Sequence, residues 1–309
     1  MPKQTNTLGH PGTKNGPKAL RGVRVLSLAL NVPGPFALLR CKQMGASCVK
    51  LEPPAPAGAP AGTSGDPLAL ASSSAYQQIH SGVRVVQADL KTEKGQKALH
   101  RELTKTDVLI TSFRPSALRK LGLAWQALHQ RYPTLSMVKI VGAPGERAEE
   151  PGHDLTYLAE NGLITGLDLP ATLYSDMGGS LMASEAVLQA QLLRSHKHTG
   201  VCLEVALSEA AAFLAFPRSF GMTTRGSFLG GGHAGYRVYP CQDGRVAVAA
   251  LEPHFAAALG REVGLKSAHV MAMFQPETHA AMATFFSGKT RSQLSQLSTE
   301  RDIPLHTLA

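Results

Sequence analysis

Two short motifs hold the groups best suited to proton chemistry: Gly152-His153-Asp154 and Ser175-Asp176-Met177-Gly178-Gly179. An imidazole can take up a proton near neutral pH, and a carboxylate can exchange a proton or attack an electrophilic carbon. Brought to one reacting carbon, His153 and Asp176 would form a two-base site. Each also has a plainer reading: Asp176, ahead of a helix, can be its N-cap, and His153 can be a structural hydrogen bonder. Spacing alone does not decide, because the chain carries 12 His and 22 Asp and Glu. The elements that must position the pair carry the rest of the reading.

Strand and helix signals alternate through the first half. Val23-Arg24-Val25-Leu26-Ser27-Leu28 has the period of a strand, and Asn31-Val32-Pro33-Gly34-Pro35 breaks it. A helix over residues 36–44 and a strand over 46–51 then complete a βαβ unit. A Pro-, Ala- and Gly-rich loop covers 52–66. Further strands are expected at 83–88, 107–111 and 135–141, with a charged helix at 92–105. Such alternation predicts a mostly parallel sheet covered by helices, with ligands at the carboxyl ends of its strands. Neither a G-x-G-x-x-G turn nor a Walker A sequence is present, which argues against NAD and ATP. The turn at Pro33 still places a helix N-terminus directly after a strand; an ordinary βα connection has the same look.

Beyond residue 150 the pattern changes. Helices are expected at 153–165 and 178–194, a strand at 201–206 and an apolar helix at 207–220. Gly230-Gly231-Gly232 precedes a hairpin over 236–240 and 245–250, with Asp243-Gly244 as its turn signal. Helices at 253–263 and 280–299 finish a smaller α+β domain. The expected organisation is a disordered lead-in over 1–19, a large α/β domain over 20–200, and a helix linker with the small domain over 201–309.

With 309 residues and 43% apolar content the chain can build a real core. Its net charge of +9 favours an anionic partner. No basic block is dense enough for a nucleic-acid tail, and no metal-ligand spacing or stacking motif accompanies the charge, so nucleic acid is not expected. Cys41, Cys48, Cys202 and Cys241 form neither a CxxC pair nor a disulfide framework, which suits a reducing, cytoplasmic compartment. The best apolar run, from Val205 to Phe216, is interrupted by Ser208 and Glu209 and is too short to span a bilayer.

The order of motifs resembles the class III CoA-transferase family, and within it the alpha-methylacyl-CoA racemase branch. The resemblance runs collinearly from about residue 20 to 300. It rests on Leu20-Arg21-Gly22-Val23-Arg24-Val25-Leu26, Pro33-Gly34-Pro35, Val49-Lys50-Leu51-Glu52-Pro53-Pro54, Ala88-Asp89-Leu90-Lys91 and Phe113-Arg114-Pro115, and continues through Lys120-Leu121-Gly122-Leu123, Gly152-His153-Asp154, Asp176-Met177-Gly178-Gly179, His198-Thr199-Gly200 and Leu251-Glu252-Pro253-His254. It implies a Rossmann-like large domain joined to a small domain in an interlocked homodimer. It also implies CoA thioester chemistry with no permanently bound cofactor and no metal.

In that branch a thioester acidifies the α-carbon, one group removes its proton and the other returns a proton to the opposite face. His153 and Asp176 match those two positions, and Glu252 matches a carboxylate placed near the His. Asp176 is expected to be held ionised by helix N–H groups and the helix dipole until it accepts a proton. Pro33, Lys91, Arg114, Lys120 and Tyr157 are the implied CoA and pocket contacts; the three cations could also be solvated surface charges. In the transferase branch Asp176 would instead attack the acyl-CoA carbonyl, with Gly230 to Gly232 closing over the adduct. The resemblance implies further chain after the position of Ala309, returning to the large domain. A CoA-binding member without turnover is the third reading.

Overall fold

The structure, a computed structural model, describes residues 18–59 and 63–309. The lead-in expected over 1–19 therefore lies, but for its last two residues, outside the described residues. The chain runs β1 (Arg24–Ser27), α1 (Pro33–Gln43), β2 (Ser47–Glu52), α2 (Pro67–Ala71), α3 (Ser73–Ile79), β3 (Arg84–Gln87), α4 (Glu93–Leu103), β4 (Val108–Thr111), α5 (Pro115–Lys120), α6 (Trp125–Arg131), β5 (Ser136–Val141), α7 (Asp154–Glu160), α8 (Tyr174–Lys197), β6 (Cys202–Ala206) and α9 (Leu207–Ser219). It continues with β7 (Tyr236–Cys241), β8 (Gly244–Ala249), α10 (Pro253–Val263), α11 (Pro276–Ser287), α12 (Arg291–Arg301) and β9 (Leu305–Leu308). Two compact units divide after Ala215, inside α9. The strand Cys202–Ala206, expected beyond a boundary at residue 200, pairs with β5 and completes the sheet of the first unit.

That sheet has six parallel strands in the order β3-β2-β1-β4-β5-β6. Its two faces follow from the period of 2 along each strand. Val25, Val108, Ile110, Val138 and Ile140 point to a core shared with α1, α7 and α8. Leu26, Leu109 and Met137 point the other way, onto Leu99 and Leu103 of α4, Leu118 of α5 and Leu128 of α6. Both faces are covered, so these strands read as near-continuous apolar runs. Each fully buried Leu in such a core contributes about 1.5–3 kcal/mol. The chain leaves β1 toward one edge of the sheet and re-enters through β4 toward the other. A doubly wound sheet opens its ligand crevice beyond the carboxyl ends of the two strands at that reversal.

Helix bounds differ from expectation where tertiary contacts act. The helix expected at 153–165 stops at Glu160, because Gly162 takes a left-handed φ of 68° and the Leu163 N–H turns back to the Leu158 carbonyl at 2.9 Å. The next helix, expected from Gly178, starts a turn earlier at Tyr174 and runs through Gly178 and Gly179. Packing accounts for that: a Cβ on Gly179 would lie 2.2 Å from Leu207 Cδ2.

In the second unit β7, β8 and β9 form an antiparallel sheet. The β7–β8 hairpin turns through Gln242 and Asp243 as the sequence suggests. The single helix expected at 280–299 is two, α11 and α12. Thr290 ends the break between them with a capping box: its Oγ1 accepts the Gln293 N–H at 3.3 Å, and Gln293 Oε1 accepts the Thr290 N–H at 2.9 Å. Strand β9 carried no expectation. Val246, Val248, Met282, Phe286 and Leu294 form the core of this unit. No helix among the described residues is long and apolar enough to cross a membrane.

Candidate active site

The crevice predicted by the sheet order holds a cavity of about 280 Å³, entirely within the first unit. The loop after β1 supplies Leu30, Asn31 and Pro33, and the loop after β4 supplies Ser112, Phe113 and Arg114. The connection from β5 to α7 adds Glu150, Pro151, Gly152 and His153, while α7 and α8 contribute Tyr157 and Asp176. Five of the expected site residues, Pro33, Arg114, His153, Tyr157 and Asp176, thus share one space. Lys91 and Lys120 do not line it. Lys91 is exposed in the β3–α4 turn, where its N–H donates to Asp89 Oδ1 at 2.9 Å, and Lys120 is exposed in the last turn of α5. Glu252 belongs to the second unit, where it precedes Pro253 at the start of α10. Gly230 to Gly232 belong to that unit as well.

His153 precedes the first residue of α7 in extended conformation. Its carbonyl accepts the Thr156 N–H at 2.9 Å and the Thr156 hydroxyl at 2.7 Å, and its own N–H donates to Thr156 Oγ1 at 3.1 Å. These bonds and the capping box at the helix entry fix His153 at the edge of the cavity. The ring lines the cavity, where it can meet a ligand as well as serve the helix entry.

Asp176 lies inside the first turn of α8 and is no N-cap; Leu173 holds that place. Its N–H donates to Asp154 Oδ1 at 2.9 Å, so a buried carboxylate from the start of α7 satisfies one free donor of α8. The Asp176 carboxyl itself has no hydrogen-bond partner among the described residues. Burial, and then the charge of Asp154, push its pKa up to about 7. Against the expectation that helix N–H groups and the dipole hold it ionised, the Asp176 N–H serves Asp154, and the pKa is raised by burial and by the neighbouring charge. Asp154 stands in the sequence within Gly-His-Asp, and its role beside Asp176 was not read there.

Tyr157 is buried, and its phenol pKa is raised by burial and by the charge of Asp176. Its ring packs over two glycines. A Cβ would meet the Tyr157 hydroxyl at 2.3 Å on Gly142 and at 2.5 Å on Gly152. Gly152 is thus required by the ring behind it, and the His that follows is placed by the same contact. Gly34 has a similar role at the other wall, where a Cβ would lie 2.2 Å from that of Ala29 and α1 could not start so close to β1.

Electrostatically the cavity combines the exposed guanidinium of Arg114 with the His153 imidazole and the carboxyl groups of Glu150 and Asp176, and Asp154 stands beside Asp176 outside the lining. It can exchange protons at neutral pH or present a carboxylate to an acyl carbon.

Comparison with known proteins gives this arrangement a family. The profile of CoA-transferase family III matches residues 20–309. Alpha-methylacyl-CoA racemase of Mus musculus is 29% identical over 300 residues, covering 90% of this chain and 74% of its own. A probable fatty acyl-CoA transferase of Mycobacterium tuberculosis is 32% identical over 212 residues, covering 65% of this chain and 54% of its own. A crystal structure of a hypothetical protein from Mycobacterium tuberculosis superposes with a TM-score of 0.77 at 23% identity, covering 95% of this chain and 86% of that one. The last likeness shows a shared fold.

Proposed function

Because the chain belongs to CoA-transferase family III, we propose that the cavity binds a CoA thioester and that His153 and Asp176 exchange the α-proton of a 2-methylacyl-CoA. The chain is an enzyme of the CoA-transferase and racemase type, since family members carry both names. The observation that carries the finer reading is the pairing, in one cavity, of an imidazole with a carboxyl whose pKa is pushed up to about 7. A group that must take a proton in one direction and give it in the other works best when both its forms are populated at the working pH.

His153 removes the α-proton, and the electron pair of the C–H bond passes into the thioester carbonyl as an enolate. Asp176, in its acid form, gives its proton to the opposite face of that carbon and becomes a carboxylate. The charged pair then resets by exchange with solvent, and the reverse reaction swaps the roles. Arg114 at the rim offers a planar donor set for an anionic group of CoA.

Deuterium uptake at the α-carbon of a 2-methylacyl-CoA in D₂O is the direct test. Uptake that is lost in His153→Ala supports the reading; no exchange with any branched acyl-CoA overturns it. Glu252→Gln, measured alongside, tests the third residue that the family resemblance implies. The same reading includes an interlocked homodimer in the cytoplasm, and sedimentation of the purified protein tests its oligomeric part.

A second reading has its own support in the unpartnered Asp176 carboxyl and in the transferase names among the relatives. Here the Asp176 carboxylate attacks the thioester carbonyl, expels CoA thiolate and forms a mixed anhydride. The thiolate then attacks the Asp176 carbonyl, releasing the first acid and leaving an aspartyl thioester. Passage of CoA from succinyl-CoA to a second acid, with a hydroxylamine-trapped adduct that Asp176→Ala abolishes, would favour transfer over exchange.

A further inference from the structure

Lys50, in β2 between Ser27 of β1 and Val85 of β3, has no exposed surface at all. Its ammonium pairs directly with Asp66 and lies 3.6 Å from Glu52, 3.2 Å from His80 Nε2 and 5.0 Å from the centre of the Tyr76 ring. The tautomer of His80 follows from its other nitrogen. Nδ1 is 2.8 Å from the Tyr76 carbonyl, which can only accept, so Nδ1 carries the hydrogen and Nε2 accepts from Lys50. Burial and the Lys50 charge lower the pKa of His80, in keeping with a neutral ring. Glu52 is occupied by the Tyr76 hydroxyl at 2.8 Å and by Gln87 at 3.4 Å. The reaction uses none of these groups.

Asp66 leads from this cluster to the cavity. It is fully buried, and while Oδ2 meets Lys50, Oδ1 accepts the N–H groups of Asn31 at 3.0 Å and Leu68 at 2.9 Å. Asn31 has a left-handed φ of 65°, a conformation that Asn accepts more readily than most residues with a Cβ. Leu30 beside it donates its N–H to Ser112 Oγ at 3.1 Å. Leu30, Asn31 and Pro33 form the cavity wall that faces the loop of Arg114.

We propose that Asp66 is a positioning residue for the reaction: anchored by Lys50, its carboxylate holds the Asn31 N–H and so fixes the turn that forms one wall of the thioester site. The cluster converts a rigid strand position into a rigid loop position. The inference rests on the reading of the cavity as a thioester site.

Two double variants separate positioning from simple ion-pair stability. Lys50→Met with Asp66→Asn removes the charges but keeps an amide oxygen for the Asn31 N–H; Lys50→Met with Asp66→Ala removes both. The expected result is a KM for α-proton exchange within about threefold of the unaltered protein in the first, and raised roughly tenfold in the second, as for loss of one hydrogen bond of this kind. Amide hydrogen exchange at Asn31 should quicken only in the second, with the amides of α8 unchanged in both. Equal KM values and equal Asn31 exchange in the two variants would overturn the proposal. If either variant does not fold, the unaltered protein still decides: a rapidly exchanging Asn31 amide sinks the idea. Should the unaltered protein show no α-proton exchange, the reaction assignment fails by itself, while the Asn31 amide still judges Asp66.

Discussion

Two aspartates in the first unit, Asp66 fully buried and Asp176 half-buried, meet opposite neighbours. Asp66 faces the buried ammonium of Lys50 and accepts two backbone N–H groups. Asp176 faces a second carboxyl, Asp154, and accepts none. The first arrangement commits both oxygens of the carboxylate to structure. The second leaves the carboxyl open, destabilises its charged form and sets its pKa at about 7. Placement of one cation thus separates a carboxylate held in the structure from one left open, at two positions of the same residue type.

The comparison breaks most visibly in activity. His153→Ala or Asp176→Ala should lower α-proton exchange by about 10²- to 10⁴-fold, the usual contribution of a positioned acid or base. Deuterium incorporation followed by mass spectrometry measures it, and a loss of less than about tenfold would remove that residue from the chemistry.

Stability gives the next largest contrast. Asp66→Ala leaves the buried Lys50 ammonium with only the Glu52 carboxylate, 3.6 Å away, to offset its charge, and should cost up to about 3–5 kcal/mol in urea denaturation. Asp176→Asn should act in the other direction. The folded state binds the Asp176 proton more tightly than the unfolded chain does, so the unaltered protein loses stability as pH rises from about 4 through 7. Replacement by Asn removes that loss, with a gain of roughly 1–2 kcal/mol at pH 8 that vanishes near pH 4. A variant equally destabilised at both pH values would show that the carboxyl has another structural partner.

The smallest effect sharpens the account of causes. Asp154→Asn keeps an oxygen for the Asp176 N–H but removes the neighbouring charge. Because burial is the larger cause of the shift, the Asp176 pKa should fall only part of the way back. In the direction in which Asp176 gives its proton, the alkaline limb of the pH–rate profile should move to lower pH accordingly. No movement at all would assign the whole shift to burial.

The two aspartates also differ in how legible they were. Asp176 stood out because it follows Ser175 and precedes Met177-Gly178-Gly179, and the parallel strands were readable because both faces of each carry apolar residues. What escaped was whatever depends on a distant partner. Val49-Lys50-Leu51-Glu52 alternates as a half-exposed strand does, yet both charged residues are buried, because Asp66 and Tyr76 from the following loop and helix meet them. Gly178-Gly179 reads as a poor helix interior, but close approach of Leu207 outweighs propensity there. Thr290-Arg291-Ser292-Gln293 held a local capping signal for the break before α12, which a single helix over 280–299 overlooks. The Gly-His-Asp motif was legible as a possible base; the partnership of its Asp with Asp176 depends on α7 meeting α8.

The ring of Tyr157, seated between Gly142 and Gly152, ties three positions of the sequence into one unit of inheritance. A side chain larger than hydrogen at either glycine would have to push the ring out, and with it the segment that carries His153. Along a lineage, therefore, those two glycines should be free to drift only where the tyrosine has first given way to something smaller, and the order of such changes would record when a lineage abandoned this cavity.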